Sequence, residues 1–210
     1  MPLPIIPFSR DDVEIIERCC GFQGFFKLDT VHLRHRLHEG GWGAEIQREL
    51  FVRGPAVGVV LYDPVHDLIG LVEQFRIGAL DDEQGPWCME IVAGIAESGE
   101  SLDEVAFREV QEETGLQPGS LEYICHYLSS PGGCDEKLHL FCARVNLQGA
   151  GGIFGLAREG EDIAFHVLEA EAVFNQLYDG RFNNAATLIG LQWLQTQRPR
   201  MRDLAPETES

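Results

Sequence analysis

At 210 residues the chain can form one large domain or a domain with a small addition, and 44% hydrophobic against 24% charged residues is ordinary for a globular protein. Thirty-four acidic residues against 16 basic ones give a formal charge of -18, which disfavours nucleic acid and anionic membranes as partners. No stretch is long and apolar enough to span a bilayer. The start, Met1-Pro2-Leu3-Pro4-Ile5-Ile6-Pro7, lacks the basic residues and apolar run of a secretory leader. Six scattered cysteines without a CxxC pair suit buried thiols in a reducing compartment, so a cytoplasmic protein is expected.

The first fifty residues read as strands. Phe25 to Leu37 alternates loosely, with Val31, Leu33 and Leu37 on one side. A turn at Glu39-Gly40-Gly41-Trp42-Gly43 follows, and Glu45 to Val52 returns. Residues 1–54 are therefore expected to be a small antiparallel sheet with few apolar residues of its own, packing on something else such as a second subunit. The main domain is assigned to residues 55–198 and a mobile tail to 199–210.

Within the main domain, Ala56 to Tyr62 and Leu68 to Phe75 flank the turn Asp63-Pro64-Val65-His66-Asp67 as a hairpin. Trp87 to Ala93 reads as a third strand, followed by a helix and then by strands at Leu121 to Leu128 and Lys137 to Val145. The glycine-rich stretch from Asn146 to Gly160 reads as loop, Ala164 to Leu168 as a last strand, and Glu169 to Tyr178 and Asn183 to Gln197 as closing helices. Mixed strands around a mid-chain helix with helices at the end predict an α/β or α+β layered domain.

The mid-chain helix carries the chemistry. Ser101-x-x-Glu104 is a capping box and Gly115 a left-handed stop. With Leu102 as zero and about 100° per residue, Val105, Ala106 and Val110 define an apolar stripe from roughly -60° to +80°. Glu109 and Glu113 fall inside that stripe at about -20° and +20°, and Glu112 on its edge at about -80°. Burying unpaired carboxylates costs several kcal/mol each, so a cation must meet them. Arg108 offsets one charge and not three. A hard divalent cation fits better, because Mg²⁺ takes a few carboxylates and keeps sites for phosphate oxygens. Phe107 lies at about +140° and leaves open an acidic, solvated helix whose buried face is elsewhere.

Residues 94–116 match G-x5-E-x7-R-E-U-x-E-E-x-G-U (U apolar) at every position: Gly94, Glu100, Arg108, Glu109, Val110, Glu112, Glu113, Gly115 and Leu116. A chance match is on the order of one in 10⁹ per starting position, and the segment is identified as a Nudix box. The resemblance implies a Nudix α/β/α sandwich around a mixed sheet, and Mg²⁺ (or Mn²⁺) held by Glu109 and Glu113, supported by Glu112 and the Ala93 carbonyl. It also implies Arg108 as the residue orienting those glutamates. Further stretches, including Gly24-Phe25-Phe26-x-Leu28-Asp29, Glu73-Gln74-Phe75-Arg76, Asn183-Asn184-Ala185 and Gly155-Leu156-Ala157, together with Pro131 sixteen residues beyond Gly115, resemble the ADP-ribose pyrophosphatase branch.

Carried over by that resemblance, Arg76 and Glu90 face the diphosphate and its metals. Phe25 stacks on adenine, Arg48 helps to hold the nucleotide, and Ser130 and Glu136 lie near the ribose or its phosphates. Glu159 is the implied general base, with Glu161 in reserve. The implied substrate is ADP-ribose, split to AMP and ribose 5-phosphate, and the implied unit is a homodimer joined through the N-terminal region. Another nucleoside diphosphate sugar such as GDP-mannose is the alternative substrate, and an inactive sensing module the alternative class. The bland alternatives are Phe25 in a core, Arg48 as a solvated strand residue and Arg76 in a surface ion pair.

Overall fold

The structure, a computed structural model, describes residues 7–97 and 99–203. The reading of Met1 to Pro7 as no leader falls largely outside these residues, as does the expected tail beyond residue 203. The chain divides into two compact units, one running to Gly54 with Leu128–Glu136 added, the other formed by Pro55–Tyr127 and the chain from Lys137.

In the first unit β1 (Val13–Gln23), β2 (Lys27–His35) and β3 (Ile46–Val52) form an antiparallel sheet in that order. β2 and β3 lie where alternation places strands. β1 has no such signature, because register shifts at Ile15/Glu17 and Cys20/Phe22 flip the parity of its side chains. Asp29 and Val31 are buried in β2, and Arg18 and Lys27 close on the Asp29 carboxylate at 2.6 and 2.9 Å. The segment 128–136, which sequence places in the main domain, joins this unit through its backbone and the Asp135 carboxylate. Phe51 N–H donates to the Gly133 carbonyl at 2.8 Å, and Asp135 Oδ1 accepts from the N–H groups of Arg53 and Gly54 at 2.7 and 3.1 Å.

The second unit is built on an eight-stranded sheet. Its strands are β4 (Pro55–Asp63), β5 (Leu68–Phe75), β6 (Trp87–Glu90), β7 (Val92–Ile95), β8 (Leu121–Leu128), β9 (Lys137–Arg144), β10 (Gly152–Phe154) and β11 (Ile163–Glu169). The order is β10-β11-β5-β4-β9-β8, with β6 added to β5 and β7 to β4. β4 runs parallel to β9 and antiparallel to β5. Alternation along β4 sorts the core. Val57, Val59 and Leu61 pack with Val105, Ala106 and Val110 of α1 (Leu102–Thr114). Val60 and Tyr62 pack on the other side with Phe174 of α2 (Ala170–Asn175) and Leu191 and Leu194 of α3 (Ala185–Asp203). Helices thus cover both faces, each fully buried Leu, Val or Ile contributing about 1.5–3 kcal/mol. The backbone of α3 sits directly on β4, since a Cβ on Gly190 would lie 2.7 Å from Val60 Cγ2.

Three expectations change. The single strand from Trp87 to Ala93 is two strands that break at Ile91 and change partner, β6 pairing with β5 and β7 with β4. β4 and β5 pair with each other only at Leu61–Asp63 and Leu68–Gly70, so beyond that the sheet opens and β6 and β7 line the gap. The glycine-rich loop contains β10, which pairs with β11. The helix expected to end at Gln197 continues through Pro199 to Asp203, so residues 199–203 are not a mobile tail. Met201 is buried there, and Arg200 pairs with Glu122 at 2.6 Å.

Arg198 and Arg202 anchor that helical end to Asp67, in the β4–β5 turn. Asp67 has φ of 59°, a left-handed conformation that Asp and Asn tolerate. Burial alone would raise its pKa, but hydrogen bonds from Arg198, Tyr62 and Arg202 hold it at about 2. Asp67→Asn keeps the turn and drops the charge, and is expected to cost about 2 kcal/mol of stability at neutral pH. Because the folded pKa lies below the ordinary 3.8, that difference should persist above pH 3.8 and close as pH falls through about 2. Parallel denaturant titrations of both proteins across that range measure it.

Candidate active site

The capping box forms as expected: Ser101 Oγ accepts from Glu104 N–H at 3.3 Å and Glu104 Oε2 accepts from Ser101 N–H at 2.8 Å. Gly115 ends α1 at φ of 71°. Between these caps Val105, Ala106, Val110 and Glu113 are buried, while Phe107 is exposed. The buried face is therefore the one that contains the glutamates, and the solvated-helix alternative fails.

Glu113, 3% exposed, accepts from the Ala93 N–H of β7 at 3.3 Å. No cationic side chain pairs with it among the described residues. Burial, reinforced by the Glu109 charge, pushes its carboxyl up to about 8. Burial also raises Glu109, against the pull of Arg108. The Glu109 carboxylate lies on the backbone of β7, where a Cβ on Gly94 would come 1.8 Å from Glu109 Oε1. Gly94 is required here by space, since its φ is not among the positive ones.

Arg108 ties the site together. Its Nε and Nη2 grip Glu100 at 2.9 and 3.0 Å, and its Nη1 donates to Glu109 Oε1 at 2.6 Å and to Glu112 Oε2 at 3.2 Å. The fork that Glu100 completes holds the guanidinium firmly protonated. At the split of the sheet Glu90, 4% exposed, accepts from Arg76 Nε at 2.8 Å and from Asn184 Nδ2. Arg76 is thus in an ion pair, with its side chain 42% exposed.

The two loop carboxylates differ. Glu161 Oε2 accepts from Leu156 N–H at 2.9 Å, and its charge is close enough to raise both Glu109 and Glu113. Glu159 is exposed, next to Arg158 at 3.3 Å, on a turn flanked by Gly155 and Gly160 at φ of 99° and 73°. Gly155 N–H donates to the Glu112 carbonyl at 3.4 Å, which ties the loop to α1.

The other expected binding residues lie in the first unit. Phe25 is 89% exposed, which excludes a core role within that unit, and packs edge-on against Phe26. Arg48 is exposed on β3 and donates to its neighbour's carbonyl at Gln47. The Ser130 carbonyl accepts from Gly133 and Cys134 N–H, and Glu136 pairs with Arg53 at 2.9 Å. Residue type and spacing gave Asn184 and Thr187 no role; Asn184 entered only within Asn183-Asn184-Ala185, a stretch that resembles the family, and it lies immediately before α3.

An all-oxygen set of Glu90, Glu109, Glu112, Glu113 and the Ala93 backbone suits a hard divalent cation. The fit rests on Glu113, a buried carboxylate left with one weak hydrogen bond and a like charge beside it. Among the described residues no three carboxylate, imidazole or thiol side chains stand in one closed ligand set, and Glu109 is paired with Arg108. No helix among them is long and apolar enough to cross a membrane.

The NUDIX domain profile matches residues 52–187, more than half of the chain. The chain belongs to the NUDIX domain family. The Nudix chain is 42% identical over 198 residues to the ADP-ribose pyrophosphatase of Escherichia coli (strain K12), covering 94% of this chain and 95% of that one. It is 41% identical over 191 residues to the ADP-ribose pyrophosphatase of Haemophilus influenzae, covering 90% and 88%. A crystal structure of an ADP compounds hydrolase matches with a TM-score of 0.67 at 21% identity, over 90% of this chain and 98% of that one. It shares the fold, which is the expected Nudix fold.

Gly94→Ala should displace Glu109 while leaving the core intact. Turnover is expected to drop at least ~100-fold, with thermal stability changed by only a few degrees. In the metal-free Nudix protein the raised carboxyl of Glu113 means stability that is full below the ordinary 4.5 and lost as pH rises through about 8. Melting curves in a chelator should therefore fall across that window. The slope should flatten in Glu113→Gln, and Mg²⁺ should restore the wild type most at the alkaline end.

Proposed function

We propose that the protein hydrolyses the diphosphate of ADP-ribose to AMP and ribose 5-phosphate in the presence of Mg²⁺ or Mn²⁺. The observation that carries the reaction class is the buried Glu113 beside Glu109 on the packed face of α1, a pair of charges that needs a cation. The substrate rests on identity with ADP-ribose pyrophosphatases across nearly the whole chain. Cytoplasmic residence is part of this proposal.

When bound, a divalent cation supplies Lewis acidity toward the diphosphate and an acidified water. Glu109 and Glu113 would hold it, with Glu112, the Ala93 carbonyl and Glu90 as the further oxygens that would support it. Arg108 keeps Glu109 and Glu112 in place through its fork on Glu100. Arg76 binds the diphosphate oxygens. Glu159 is the proposed general base: it is exposed, on a turn between Gly155 and Gly160, whereas the Glu161 carboxylate is engaged by its own loop backbone. Glu159 takes one proton from water, the water oxygen joins a phosphorus, and the bridging oxygen leaves with the other product.

Phe25 stacks on adenine, Arg48 contacts the nucleotide, and Ser130 and Glu136 lie at the ribose end. The exposed Ile15, Ile16 and Phe22 of β1 support homodimerisation through the N-terminal sheet, which sedimentation velocity on the full chain tests.

Incubation with ADP-ribose, GDP-mannose and other nucleotide sugars, with and without Mg²⁺, tests the activity. AMP release from ADP-ribose only with metal is expected, together with a loss of at least ~100-fold in Glu113→Gln. Full turnover by that variant removes the metal assignment, and faster cleavage of GDP-mannose reassigns the substrate. Phe25→Ala should raise KM about tenfold with little change in kcat, as loss of one stacking contact does.

A further inference from the structure

Glu90 is a buried carboxylate whose two oxygens have different partners. Oε2 meets Arg76 Nε at 2.8 Å, and Oε1 accepts from Asn184 Nδ2. The Asn184 amide is engaged at both ends, because its Oδ1 accepts from Thr187 N–H at 3.1 Å in the first turn of α3. Its carbonyl also accepts from Leu188 N–H at 3.1 Å. Asn184 is thus the N-cap of α3, and its orientation is fixed: only the NH₂ end can face Glu90. One turn further, the buried Thr187 Oγ1 accepts from Ile91 N–H at 3.1 Å. Ile91 is the residue at which β6 ends and β7 begins, so the first turn of α3 grips the break in the sheet at two successive residues.

We propose that Asn184 is a positioning residue for the diphosphate-binding arginine. It fixes Glu90, and through Glu90 it fixes the guanidinium of Arg76, so the start of α3 sets where the arginine points. This deepens the proposed function and rests on Arg76 binding the diphosphate. A carboxylate held by one neighbour alone can rotate about its terminal torsion, which is broad. With Nδ2 on one oxygen and Nε on the other, rotation breaks two hydrogen bonds at once. A helix cap alone would need only the Oδ1 of Asn184, and any good capping side chain would serve.

That difference supplies the test. Ser and Asp both cap helices well, so Asn184→Ser should keep its melting temperature within a few degrees of wild type, whereas Asn184→Asp should melt lower because of the charge it sets against Glu90. Ser removes the donor to Glu90, and Asp places a like charge against it. In protein labelled with ¹⁵N-arginine, the Arg76 Nε–H signal, assigned by its absence in Arg76→Lys, should shift and exchange faster in both variants. On ADP-ribose with Mg²⁺, kcat should fall about tenfold for Ser and about 100-fold for Asp, with KM changed less than threefold. Pairing Asn184→Asp with Glu90→Gln rebuilds the hydrogen bond with donor and acceptor exchanged, and should return the Arg76 Nε–H signal toward its wild-type position and exchange rate. An unmoved Arg76 signal, or full kcat in both variants, or no recovery in the pair, overturns the proposal. If wild type releases no AMP from ADP-ribose, the functional reading fails instead, and the arginine signal alone decides the positioning.

Discussion

The carboxylate of Glu113 sits where an amphipathic helix should carry a leucine, and much of the second unit is arranged around that placement. A charge there is tolerated only if something positive or proton-bearing meets it. Without a cation the carboxyl is pushed toward its neutral form, as its pKa of about 8 records. The helix cannot rotate to expose it, since Val105, Ala106 and Val110 lock the same face onto the sheet. Nor can Arg108 neutralise it, because the guanidinium is spent on Glu100, Glu109 and Glu112. The fold therefore holds a stored electrostatic conflict, and ion binding is the proposed relief.

The sheet makes room for this conflict by not closing. β4 and β5 separate after three paired positions, and the chain from Trp87 to Ile95 changes partner across the opening. That change brings Ala93 and Gly94 against Glu113 and Glu109 of α1, and leaves Glu90 at the end of the preceding strand. Gly94 lets a carboxylate rest on its backbone, and Ala93 offers an N–H to the buried one. The β10–β11 strands then return the loop bearing Glu159 and Glu161 to the same end, with the Glu112 carbonyl as its tie.

Helix α1 was legible almost to the residue, because caps, apolar stripe and misplaced glutamates are all local patterns with a period of about 3.6. The break at Ile91 was not, since a strand that changes partners keeps its extended backbone and its β-rich composition. β1 was hidden for a related reason: two bulges scramble the alternation on which a strand reading depends. The end of α3 was read as tail because the residues after Arg198 are polar, whereas Asp67, more than a hundred positions away, anchors it. Glu90, Glu109 and Glu113 were found through a motif or a resemblance. Asn184 was picked out only as part of a resembling stretch with no role attached, because its bond to Glu90 spans 94 positions.

The division of residues between the two units follows the division of labour proposed for them. The carboxylates, Arg76, Arg108 and the loop glutamates all lie between Pro55 and Asp203, and the family profile begins at residue 52. Phe25 and Arg48 lie before it, and Ser130 and Glu136 sit in the one later segment that folds with the first unit. A diphosphate is common to every nucleoside diphosphate sugar, so residues that act on it need not change with the base or the sugar. Groups that meet adenine and ribose must. On the proposed assignment those groups belong to the first unit, which could then vary in sequence without disturbing the packed face of α1. That division also explains why the Nudix box alone identifies the reaction, whereas the substrate is read only from likeness that extends over 94% of the chain.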